Sequence, residues 1–147
     1  MRKIKALSVK REYALQISDG TKSEEYRNWK TEYRGDLLIC SSRHCYSDGV
    51  MRPGFAVCVV DLYDIERDSG GGYIWRLRNV RWVKPFEVKG KLRLFDVCEE
   101  LVYMNDWPRA EISRVCDEFL QSQFSEEELL SEEEFQKLQD EEAPAQK

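Results

Sequence analysis

"GFAVCVVDLYDIE", residues 54–66, is the run that decides the fold. It is dense in valine and aromatic residues, the composition of a strand with little contact with water. Upstream, "YRGDLLICSS" (33–42) predicts a turn at Gly35 followed by a second buried strand. Downstream, "DSGGG" (68–72) is a flexible loop, because successive glycines offer no side chain to pack. "YIWRLRNVRWV" (73–83) then sets Ile74, Arg76 and Arg78 against Tyr73, Trp75 and Leu77, a strand with one basic and one aromatic face. "KPFEVKGKLRLFDV" (84–97) reads as a further strand, a Lys-Gly-Lys turn and a closing segment. At the other end, "KALSVKREYALQI" (5–17) begins extended and turns helical, with Tyr13, Ala14 and Ile17 at helical spacing. "SDG" closes that helix, with Gly20 as its left-handed cap. The strands are short and close together, too close for βαβ crossovers. The expected class is α+β: a small mixed β-barrel with flanking helices.

The character changes near Asn105. Pro108 suits the first turn of a helix, and Ile112, Val115, Cys116, Phe119 and Leu120 form an amphipathic stripe. Ser125 and Glu128 make a capping box for a second helix, with Leu129, Leu130, Phe135 and Leu138 able to pack it. The last residues, "DEEAPAQK", are expected to be disordered. The organisation is thus a domain over 1–104 and an acidic amphipathic helical tail over 105–147.

Net charge sharpens this division. The whole chain of 147 residues carries −5. Residues 1–95 hold 19 Lys+Arg against 12 Asp+Glu, a balance of +7. Residues 96–147 hold 4 against 16, a balance of −12. A basic domain with an acidic tail suits a polyanionic partner, and equally a tail that only solubilises. The five cysteines (40, 45, 58, 98 and 116) are an odd number. With no apolar signal segment, that argues for reduced thiols and a cytoplasmic setting. No apolar run approaches the roughly 20 residues of a membrane span. The single histidine, His44, lies in a Cys-x-x-x-His-Cys spacing that is no recognisable zinc pattern, so neither metal nor cofactor is expected.

"DGTKSEEYRNW" (19–29) carries the chemistry. As a strand it places Ser23, Glu25 and Arg27 on one face and Lys22, Glu24 and Tyr26 on the other. Alone, it also fits a solvated, salt-bridged surface strand. Other segments extend the pattern. "ALSVKREYALQISDGTKSEEYR" resembles the opening strand, helix and G-x-K-x-x-E-x-R motif of the ASCH family, a branch of the PUA-like barrels. Gly20, Lys22, Glu25 and Arg27 stand at the motif positions. "YRGDLLICSSR" is similar to the family's next strand, which ends in a small hydroxyl residue, here Ser41 or Ser42. "GFAVCVVDLYDIE" resembles its central strand, and residues 72–97 its aromatic strand and closing Lys-Gly-Lys segment. The resemblance covers residues 6–97; 105–147 fall outside it.

The resemblance implies a PUA-like barrel with a cleft lined by the motif, and RNA, another nucleic acid or a free modified nucleoside as ligand. Lys22 and Arg27 can pair with phosphate. Glu25 can accept from an exocyclic amine, or hold one of the two cations in place. Trp75, Tyr26 and Trp29 can stack a base, while Trp75 fits core packing equally well. Arg76, Arg78, Arg81, Lys84, Lys89 and Lys91 offer phosphate contacts, or simply a solvated face. Some relatives are amidohydrolases that deacetylate cytidine nucleosides. That activity would employ Lys22 with Glu25 as the catalytic pair. The deacetylating relatives carry threonine where this chain has Glu25. A third reading makes the tail, 105–147, a docking segment for a protein partner.

Overall fold

A computed structural model describes residues 2–45, 49 and 51–123. Its spine is β6 (Gly54–Arg67), the strand expected from the opening run. β3 (Gly35–Ser41) and β7 (Tyr73–Trp82) flank it, both antiparallel. β1 (Lys3–Val9) runs parallel to β3, and β9 (Phe95–Cys98) is antiparallel to β1. β2 (Glu24–Arg27) completes the other side, antiparallel to β7. The strand order is therefore β2-β7-β6-β3-β1-β9, with β8 (Glu87–Val88) on the start of β6. β4 (His44–Cys45) and β5 (Met51–Arg52) form a separate small ladder.

Two expectations are corrected here. The chain does make a crossover: β1 and β3 are parallel, and residues 10–34 join them through α1 (Arg11–Asp19) and β2. That connection exceeds the dozen or so residues such a return requires. The barrel is also not closed by pairing among the described residues. β2 and β9 end the path as two four-residue strands without a ladder between them. The result is a sheet-dominated α+β domain. Register shifts in β6 at Val59/Asp61 and Leu62/Asp64, and between Ile39 and Cys40 in β3, add the local twist that irregular pairing brings.

Both faces of the central strands are covered. Leu37, Ile39, Cys58, Val60 and Leu62 join one core with Ala14 and Ile17 of α1. Leu38, Cys40, Ala56 and Val59 join a second with Val83, Phe95 and Val97. A strand buried on two faces shows an apolar run instead of alternation, and "LLIC" and "AVCVV" have that form. Burial pushes the Cys40 and Cys58 thiols up to about 12, so both behave as small apolar side chains. Tyr13 departs from its expected place: it is 40% exposed, while Ala14 and Ile17 are fully enclosed.

Helix α2 (Arg109–Ser122) begins one residue later than expected, with Pro108 as its N-cap. Val115 is buried. Ile112, Cys116, Phe119 and Leu120 border an apolar cavity of about 380 Å³ shared with Phe55 and Trp82. Residues 124–147, where the second helix and the terminal tail were expected, lie outside the described residues. Among those described, no helix is long and apolar enough to cross a membrane.

Candidate nucleic-acid interface

The opening motif is positioned by the end of α1. Gly20 adopts φ 87°, and its amide returns to the Ile17 carbonyl. Such a left-handed cap is accessible to glycine at low cost. Thr21 donates to the Asp19 carboxylate from both its amide (2.8 Å) and its hydroxyl (2.7 Å), which holds that acid below its ordinary pKa. The Lys22 amide donates to the Gln16 carbonyl at 3.1 Å. The chain then enters β2 with a fixed phase.

That phase puts Glu25 inward, opposite Trp75. Glu25 is only 5% exposed. Its Oε2 accepts from Arg27 Nη2 at 3.1 Å, and its Oε1 lies 3.8 Å from Lys22 Nζ. The same Arg27 nitrogen donates to the Ser8 carbonyl on β1 at 2.9 Å. Lys22 was expected on the opposite face. It precedes the strand, however, and folds back to Glu25, with its ammonium 4.9 Å from the Tyr13 ring centroid and 5.1 Å from that of Tyr26. Two cations thus share one carboxylate, and the cluster keeps a net positive charge.

Ser8 links this cluster to a cleft of about 910 Å³. Its wall includes Ser8 of β1, Ser41 and Ser42 at the end of β3, Arg43, Glu87, and Lys89 to Leu92. The Ser42 amide donates to the Val9 carbonyl at 2.8 Å, which ties the two strand ends together. Ser41 is 1% exposed and its hydroxyl bonds the Ser42 carbonyl at 3.3 Å. Gly90 lies directly on Ser8: a Cβ there would come within 2.6 Å of the serine hydroxyl. Among the described residues, none of Arg43, Lys89 and Lys91 makes an ion pair.

The predicted site residues therefore separate into three places. Ser41, Ser42, Lys89 and Lys91 line the cleft. Lys22, Glu25 and Arg27 form the cluster around the buried Glu25 carboxylate that adjoins it through Ser8. Trp75 and Arg76 are at neither. Trp75 is fully buried, donates its indole N–H to the Trp29 carbonyl at 3.2 Å, and meets the Trp29 ring edge-on at 4.8 Å. No face of it is open for a base, so the core-packing alternative describes it. Arg76 lies on the outer face, bound to Glu24 at 2.8 Å and Glu66 at 2.9 Å. Arg78 covers the Tyr63 ring at 4.2 Å, and Arg81 pairs with Asp36 at 3.0 Å and Asp61 at 2.7 Å. Sequence reasoning missed Ser8, Arg43, Glu87 and Leu92. The signal for Ser8 was present: a lone hydroxyl residue between Leu7 and Val9, both buried.

The fold and this cleft define a class of small domain, a mixed sheet with a polar, cation-lined mouth where two parallel strands end. A family model, that of the ASCH domain, matches residues 7–144. The chain belongs to the ASCH domain family. The matched stretch runs beyond β9 and includes helix α2. No curated protein matches the chain.

Proposed function

We propose that the cleft between β1, β3 and segment 87–92 binds single-stranded RNA. The observation that carries this is the state of its cations. Arg43, Lys89 and Lys91 stand at the wall with no ion-pair partner among the described residues, against one lining carboxylate, Glu87. A volume of about 910 Å³ suits a nucleotide-sized occupant. The cations would take phosphates, and Glu87 is placed to accept from an exocyclic amine. The Lys22–Glu25–Arg27 cluster would then support the site, with Glu25 holding Arg27 against the Ser8 carbonyl.

The test is a titration against a short single-stranded RNA at two salt concentrations. Affinity is expected to fall steeply with salt. Lys89→Ala and Lys91→Ala should weaken binding and flatten that dependence. Salt-insensitive binding, or binding indifferent to both substitutions, would reject this reading.

One observation favours a second reading, hydrolysis of acylated cytidine: Lys22 Nζ and Glu25 Oε1 are 3.8 Å apart. A lysine acting as base must be neutral. Its neighbours here, a carboxylate and two ring faces, are partners for an ammonium. Binding therefore ranks first. Release of acetate from acetylated cytidine, abolished in folded Lys22→Ala, would reverse the order.

A further inference from the structure

Segment 89–92, Lys-Gly-Lys-Leu, forms one rim of the cleft. Leu92 lines it and is 94% exposed, more than any other large hydrophobic side chain among the described residues. A lone exposed leucine ordinarily calls for no explanation. This one is flanked by a close packing contact on one side and an unusual backbone angle on the other. Before it, Gly90 packs closely on Ser8, where an added Cβ would meet the serine hydroxyl at 2.6 Å. After it, Arg93 takes φ 61°, a conformation that side chains of this kind rarely adopt. Its guanidinium lies 5.3 Å from the Trp29 ring centroid, and Trp29 packs on the buried Trp75. The chain here thus touches β1 before Leu92 and the Trp29 ring after it. Leu92 projects between these contacts, one residue after Lys91 and three after Lys89. Met51, 44% exposed, is a further apolar side chain at the cleft wall. No aromatic residue lines the cleft among those described.

We propose that Leu92 is the base-contacting residue of the cleft, packing on an unstacked base while Lys89 and Lys91 hold the neighbouring phosphates. The inference rests on the RNA reading and adds to it. Leucine and methionine serve elsewhere as apolar wedges against bases, loosening the stack. Contact with a ring face does not distinguish one base from another, so Leu92 would favour single strands over duplex without choosing a sequence.

A short single-stranded RNA carrying 2-aminopurine reports both parts, because that base brightens when it leaves the stack. The wild-type chain is expected to bind with rising fluorescence. Leu92→Ser should bind about tenfold more weakly, the share of a leucine's burial lost from the contact. It should also abolish the rise and leave the salt dependence unchanged, since no charge is removed. Leu92→Met should restore both affinity and rise. Lys91→Ala should do the converse of Leu92→Ser, flattening the salt dependence but keeping the rise. If Leu92→Ser matches the wild type in affinity and fluorescence, the leucine contact is wrong while the RNA reading stands. If the wild-type chain does not bind, the RNA reading fails and the leucine contact with it.

Discussion

The outer face of β7 and the rim of the cleft each present three cations, and the two sets differ in what meets them. On β7, Arg76 is held by Glu24 and Glu66, Arg81 by Asp36 and Asp61, and Arg78 lies over Tyr63. At the rim, Arg43, Lys89 and Lys91 have no ion pair among the described residues. The cause is architectural. β7 runs antiparallel to β6, whose Asp61 and Asp64 stand opposite Arg78 and Arg76. A neighbouring strand delivers counter-charges at fixed spacing; along the irregular segment 89–91 no described acid comes within ion-pair distance, and Asp96 of β9 feels Lys91 only at longer range. Counting basic residues thus overstates what a polyanion would meet, and strand register identifies the cations that remain available.

The comparison makes β7 a frame and the rim the proposed contact surface, and six substitutions probe it. Trp75→Ala is expected to have the largest effect, a loss of about 3–5 kcal/mol in urea unfolding, as for other large aromatic truncations in a core. A loss below ~1 kcal/mol would mean that β7 is not the frame. Glu25→Gln should cost about 2 kcal/mol, because Lys22 and Arg27 would share a half-buried site without a counter-charge. The same variant should weaken RNA binding through the displaced Arg27, which a titration beside the melting curve would show. Lys89→Ala combined with Lys91→Ala should lower RNA affinity about tenfold and reduce the salt slope by about 1.4, with unfolding unchanged. Arg76→Ala and Arg81→Ala should have the smallest effect, each at most ~1 kcal/mol of stability, and no change in the salt slope. If that arginine pair moved the slope as far as the lysines do, the two regions would not differ in the way described.

Much of the frame could be read from residues. β6 and β3 were legible because burial on both faces leaves an unbroken apolar run. Gly20 was legible because a left-handed cap has a strong preference for glycine. The parallel pairing of β1 with β3 was not: no local pattern in "KALSVK" states which neighbour it takes. Barrel closure was equally hidden, since it depends on how far two four-residue strands reach. At the cleft wall, Lys89 and Lys91 come from the Lys-Gly-Lys segment expected as a turn, which runs as irregular chain instead, and of the two hydroxyl residues offered for the strand end it is Ser41 that closes β3. Trp75 was ambiguous, because an aromatic between arginines fits a stacking platform and a core equally well. Glu25, directly opposite it across the ladder, shows that this face points inward. Leu92 carried no signal at all, since exposure is a property of the loop's path and not of the residue.

The place of β1 has a consequence for the order in which the chain can assemble. One side of β1 pairs with β3, which follows after a single crossover. Its other side pairs with β9, the last strand of the sheet. On a ribosome, β1 therefore keeps an open hydrogen-bonding edge through the synthesis of nearly the whole sheet, until β9 seals it. Until then Lys3 and Lys5, charged residues on a bare edge, are the chain's own guard against pairing with another nascent copy.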